Sequence, residues 1–247
     1  MLVHGFTQTG ASWRPVAAAL RRALPGLELL TPDLPGHGAS PPLPAEGGDA
    51  LRDAAARLGE AGGTASYLGY SMGARVCLRL ALDSPRLVER LVLVGATAGI
   101  ADPDERRARR EADEALAARL ERLGLEAFLD EWLAGPLFSH LSRGQADRAA
   151  RRANSVAGLA WALRHLGSGA TEPMWDELPA LAAPLLVLAG EGDERYAALA
   201  GELAAAAGGP AEVRLVPGAG HAAPFEQPDV FARLLAGWWP AQPPERG

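Results

Sequence analysis

Three observations predict an α/β fold with a mostly parallel sheet and helices on both faces. Short apolar runs alternate with longer segments of helical period along most of the 247 residues. Runs such as RLVLVGA at 90–96 and PLLVLAGEGD at 184–193 are apolar almost throughout, as a strand covered on both faces must be. Hydrophobic residues make up 48% and charged residues 22%, the balance of a globular domain large enough to bury its own core.

The elements follow in order. MLVH at the start is a strand remnant, WRPVAAALRRAL (13–24) a helix and LELLTPDL (27–34) a strand. Residues 49–61 have helical period, ASYLGY (65–70) reads as a strand, and ARVCLRLALD (74–83) as a helix. After the strand at 90–96 the alternation stops. Residues 97–180 hold the charged helix DPDERRARREADEALAARLERLG, then GLEAFLDEWLAGPLF, then QADRAARRANSVAGLAWALRHLG. About 80 residues without a strand signal are too many for a loop. They are expected to form an inserted helical cap, with 1–96 and 181–247 as the core. The strand at 184–193, the helix YAALAGELAAAA, the strand AEVRLVPG and the helix DVFARLLAGWW close the chain.

Charge narrows the partners. The net charge is −6, so nucleic acid is not expected as a partner. All 24 basic residues are arginine, which rules out a lysine base or Schiff base. The single cysteine, Cys77, falls inside a helix and reads as a buried structural thiol. No basic, apolar leader opens the chain and no run is long enough to span a bilayer. A cytoplasmic protein is expected.

The chemistry is signalled by YLGYSMGARV (67–76), in which Ser71 stands between two glycines at a strand-to-helix junction. A tight turn there needs small neighbours, and the free N–H groups of the following helix lie beside the hydroxyl. A serine hydroxyl needs a base, such as a histidine, and the base needs an orienting acid. His221, in the loop GAGHAAPFEQP after a strand, meets the first need. Asp193, directly after the strand PLLVLAG, meets the second, with Glu191 as the alternative. The order Ser71, Asp193, His221 at successive strand ends is the one a parallel sheet requires. The turn VHGF (3–6) offers the backbone N–H of Phe6, and the elbow that of Met72, as an oxyanion pair. His37, in a glycine loop, reads as structural; His4 is placed to shape the oxyanion turn; His140 and His165 read as surface or packing residues.

The segments VHGF, DLPGHGAS, GYSMGA, GEGD and GAGHAAPFEQP resemble the α/β-hydrolase superfamily over nearly the whole chain. Within it, the stretch ERRARREADEALAARLERLGLEAFLDEWLAGPLF and the later RRANSVAGLAWALRHLGSGATEPMWDEL resemble the 2-succinyl-6-hydroxy-2,4-cyclohexadiene-1-carboxylate synthase family of menaquinone biosynthesis. That resemblance implies a lyase that eliminates pyruvate from 2-succinyl-5-enolpyruvyl-6-hydroxy-3-cyclohexene-1-carboxylate, with the serine of the triad as base. It implies no metal and no organic cofactor. It implies a small anionic substrate held by Arg75, Arg109 and Arg151, with Arg110 and Arg152 as neighbouring registers, and a pocket lined by Tyr70 and Trp132. Read without it, the arginines of 106–110 are a solvated helix face among Glu105, Glu111, Asp113 and Glu114. A serine hydrolase of a small ester, thioester or carbon–carbon bond, and a non-catalytic binding protein on the same fold, are the competing readings. The chain opens three residues before His4, so either the N-terminal edge strands of the superfamily are expected to be missing or the true start lies upstream.

Overall fold

The structure, a computed structural model, describes residues 1–44, 48–142 and 144–239. Its five strands are β1 (Leu2–Val3), β2 (Ala65–Tyr70), β3 (Val88–Val94), β4 (Leu185–Gly190) and β5 (Ala211–Val216). They lie side by side in chain order, and every neighbouring pair is parallel. Each parallel step needs a crossover, and helices supply them. α1 (Arg14–Ala23) and α2 (Ala50–Gly62) connect β1 to β2, and α3 (Met72–Asp83) connects β2 to β3. α4 (Pro103–Leu123), α5 (Leu125–Leu133), α6 (Arg148–Arg151) and α7 (Val156–Leu166) lie between β3 and β4. α8 (Glu194–Ala206) leads to β5, and α9 (Ala223–Glu226) and α10 (Pro228–Trp238) follow it.

The period of two along each strand divides the core. Tyr67, Leu91, Leu93, Leu185 and Val187 point to the face covered by α2, α3 and α8. Leu68, Tyr70, Val92, Val94, Leu186 and Leu188 point to the face covered by α1 and α10, where Trp13, Leu20, Phe231 and Leu235 meet them. β4, buried along its whole length, and the buried ends of β2 and β3 have no polar side, which is why they read as apolar runs, whereas edge strand β5 is exposed except at Arg214 and Val216. Cys77 lies within the first of these clusters, and burial pushes its thiol up to about 12.

Two expectations need correction, and one helix went unmarked. No strand forms over 27–34. Only Leu2 N–H donates to Leu30 O (2.8 Å) across that edge. β1 offers just two residues to pair with, and Pro32 has no N–H to give. The helical pattern over 145–167 is two helices, not one, because Ser155 caps α7 by accepting from Gly158 N–H (3.0 Å). The short helix α9 lay unmarked within GAGHAAPFEQP.

Between β3 and β4 the described residues form helices and turns only. Asp102 caps α4 by accepting from the amides of Asp104 and Glu105, and Gly124 ends it at φ 76°. Leu120 of α4, Phe128 of α5, and Leu159 and Leu163 of α7 form a separate buried cluster. The two ends of the segment are tied together: Met174 N–H donates to Ala98 O (2.6 Å) and Trp175 Nε1 to Gly99 O (2.9 Å). No helix among the described residues is long and apolar enough to cross a membrane.

Candidate active site

Ser71 occupies the junction of β2 and α3 with φ 53°, a left-handed conformation that costs a non-glycine residue energy. The glycines on either side are demanded by contact. A methyl on Gly69 would stand 2.4 Å from Gly73 O, and one on Gly73 would stand 2.4 Å from Val3 O and 2.5 Å from His4 O. The turn is therefore tight enough to lift the Ser71 side chain off the sheet.

His221 Nε2 lies 3.3 Å from Ser71 Oγ, and His221 Nδ1 lies 2.8 Å from Asp193 Oδ2. The carboxylate holds the proton on Nδ1 and leaves Nε2 free to accept from the serine. Asp193 is fixed in turn as the cap of α8, its Oδ1 accepting from Tyr196 N–H (3.4 Å). Glu191 faces elsewhere and accepts from Gly218 N–H (3.2 Å). The histidine loop has its own anchor, which the sequence reading missed. Buried Glu226 accepts from the amides on both sides of His221, those of Gly220 (2.5 Å) and Ala222 (3.1 Å).

Ser71, Met72, Phe6 and His221 open on a cavity of about 440 Å³. The N–H groups of Phe6 and Met72 meet no acceptor among the described residues, as an oxyanion pair requires. The Phe6 turn is held from behind. Gly5 N–H donates to Gln8 Oε1 (3.1 Å), and Thr7, buried with φ 66°, accepts on Oγ1 from Arg151 Nη1. Asn154 ties three segments together: its Nδ2 donates to Thr7 O (2.7 Å), and its Oδ1 accepts from Gly38 N–H (2.9 Å). His4 donates from Nδ1 to Gly5 O (2.9 Å) and accepts on Nε2 from Leu34 N–H (3.0 Å). Burial pushes its pKa down to about 4 and that of its ring neighbour His37 to about 3, so both stay neutral.

The expected substrate arginines separate. Arg75 lies on the cavity wall, buried, with Thr171 Oγ1 (3.1 Å) and Leu166 O (2.7 Å) accepting from it. Burial brings its pKa down to about 10, which still leaves it charged near neutrality. Arg109 is also on the wall, its Nε donating to Asp113 Oδ1 (2.8 Å), whereas Arg110 turns out to Gly169 O (3.2 Å). Arg151 is not on that wall. It is buried behind the Phe6 turn, donating to Ala146 O (2.7 Å) and to Thr7. Arg152 pairs with Glu126 on the surface.

Trp132 lines the cavity, edge-on to Phe6 with ring centroids 5.3 Å apart, and its Nε1 is buried without a partner among the described residues. Tyr70 lies beneath the site, packed on His221 and Phe225, and burial raises its phenol well above the ordinary range. Its ring also lies against Gly5, where a methyl would stand 2.9 Å from Cδ1. It therefore supports the site from below and is not among the cavity's lining residues. Tyr196 and Arg195, adjacent to Asp193 in GEGDERY, line the cavity and were not singled out from the sequence. His140 stands over both triad loops: a methyl on Gly220 would lie 2.6 Å from its Nδ1. His165 stacks on Trp161.

This fold and site define the class. The chain belongs to the alpha/beta hydrolase family, whose model matches residues 1–234. Its relatives narrow the match. The chain is 31% identical to the 2-succinyl-6-hydroxy-2,4-cyclohexadiene-1-carboxylate synthase of Serratia proteamaculans over 238 residues, 94% of this chain and 89% of that one. It is 33% identical over 245 residues, 95% of this chain and 87% of the other, to a Bacillus subtilis protein provisionally given the same name. Among solved structures, MenH from S. aureus superposes with a TM-score of 0.85 at 27% identity, covering 96% of this chain and 92% of that one. A thermophilic esterase from Thermogutta terrifontis, at 24% identity and a TM-score of 0.75, shares the fold; it covers 96% of this chain and 87% of that one.

Proposed function

We propose that this protein is a carbon–oxygen lyase that eliminates pyruvate from 2-succinyl-5-enolpyruvyl-6-hydroxy-3-cyclohexene-1-carboxylate, giving 2-succinyl-6-hydroxy-2,4-cyclohexadiene-1-carboxylate. The observation that carries this reading is a Ser–His–Asp array opening on a cavity with arginine in its wall, which suits a polyanion better than a neutral ester. The named relatives support the same choice.

His221 Nε2 takes the Ser71 proton as Ser71 Oγ takes the ring proton beside the succinyl carbonyl. The freed electron pair forms the double bond between ring carbons 2 and 3. The existing 3,4 pair moves to 4,5, and the bond from carbon 5 to the enolpyruvyl oxygen breaks. Enolpyruvate leaves, takes up a proton and becomes pyruvate. No acyl-enzyme forms. The amides of Phe6 and Met72 stabilise the charge that grows on the succinyl oxygen as the proton departs. Asp193 keeps His221 in the required tautomer and balances the imidazolium. We read residues 97–180 as a cap closing the cavity with Arg109 and Trp132.

A serine hydrolase is the competing reading, and the two predict opposite panels. Purified protein given the enolpyruvyl substrate and a set of short acyl esters and thioesters is expected to release pyruvate and to leave the esters nearly untouched. Fast turnover of an ester without pyruvate release would reverse the assignment.

A further inference from the structure

A second cavity, of about 650 Å³, adjoins the first. Thr97, Arg109, Ser168, Arg195 and Tyr196 line both, so they form the threshold between them. The inner cavity has three arginines on its wall, Arg75, Arg109 and Arg195, and two carboxylates, Asp113 and Asp193. Asp193 is engaged with His221 and Asp113 with Arg109. Within the inner lining, the positive charge left without a carboxylate therefore falls on Arg75, at the inner end, and Arg195, at the threshold, while the outer cavity carries Asp102, Glu105 and Glu202. Arg195 has no ion pair among the described residues. Its guanidinium carbon lies 5.9 Å from the centroid of the Tyr196 ring, which itself packs 4.5 Å from the ring of His221.

The proposed substrate has three carboxylates: on the ring, on the succinyl arm and on the enolpyruvyl group. Three arginines were expected to meet them, yet Arg151 is committed to Thr7 and Ala146 behind the oxyanion turn. We infer that Arg195 is the third carboxylate-binding residue, holding the outward-facing carboxylate of the substrate at the threshold, in the role that the family resemblance gives to Arg151. Arg151 instead braces the Phe6 turn. The inference rests on the lyase reading for the identity of the substrate, but the carboxylate subsite stands or falls separately.

The test pairs kinetics with an anion titration. In pyruvate release, Arg195→Gln is expected to raise KM at least tenfold while kcat stays within about threefold. Arg195→Lys, which keeps the charge, should recover most of the loss in KM. Arg151→Gln should lower kcat and thermal stability more than it raises KM. A KM for Arg195→Gln within twofold of the wild type would overturn the inference. Citrate, a tricarboxylate probe, is titrated calorimetrically at low ionic strength into wild type and Arg195→Gln. A tenfold weaker citrate affinity in the variant is expected, and equal affinity, or no citrate binding to wild type, would count against the subsite. If wild type releases no pyruvate, the lyase reading fails, and the citrate result alone decides whether Arg195 binds carboxylates.

Discussion

Ser71 is held at φ 53° by its surroundings, and the two glycines beside it are as necessary as the hydroxyl. Gly73→Ala is the sharpest check. Its methyl would meet Val3 O and His4 O, both backbone atoms at the root of the Phe6 turn. Overpacking of this kind costs about 1–3 kcal/mol. The urea midpoint should fall and activity should drop with it. A variant of wild-type stability would show that the elbow is looser than described. The Ser71–His221–Asp193 array was legible in the sequence because each member follows a strand, Ser71 at once and Asp193 and His221 within a short loop, and strand ends in a parallel sheet converge. The arginines were legible only in part. Arg109 and Arg110 differ by one step of a helix, about 100° around its axis, and that phase decides which faces the cavity. Arg151 was misplaced for another reason. Its partner, Thr7, is 144 residues away, and no local pattern announces that contact. Glu226 and Asn154 were missed on the same ground, since both act through backbone amides or carbonyls that carry no sequence signature.

At the scale of elements, α4 and α7 are joined in two ways. Leu120, Leu159 and Leu163 pack in a dry cluster, while Arg164 of α7 reaches across to Glu114 and Glu121 of α4. The ion pairs are largely solvated, and such pairs contribute about 0–1 kcal/mol. A buried leucine cut to alanine costs about 2–5 kcal/mol. Leu120→Ala should therefore lower the chemical denaturation midpoint far more than Arg164→Ala. Equal effects, or a larger one for Arg164→Ala, would mean that charge holds this segment together. The helices were readable from their period and caps. The strand expected at 27–34 failed because a strand is made by its partners, and β1 supplies only two residues for it to pair with.

For the whole molecule, two buried neutral histidines link stability to pH. In the unfolded chain each titrates near 6.5, whereas folded His4 and His37 take a proton only at about 4 and about 3. The unfolded state therefore binds more protons below pH 6.5, and stability is lost as the pH falls toward those values. By pH 5 the loss is about 2 kcal/mol per histidine. Urea unfolding at pH 7.5 and pH 5 should show it, and His37→Gln should flatten the slope. Equal stability at the two values would contradict the neutral assignment.

The five parallel strands bring Ser71, Asp193 and His221 to one edge of the sheet, beneath the helices that follow β3. The central claim is that this array works as a base in an elimination. The most direct measurement follows pyruvate through lactate dehydrogenase, with the enolpyruvyl cyclohexene substrate made enzymatically in the same vessel. Wild type is compared with Ser71→Ala. Release far above the spontaneous background in wild type, reduced by orders of magnitude in Ser71→Ala, is the predicted result. Release at background in folded wild type, or undiminished release in Ser71→Ala, would contradict it.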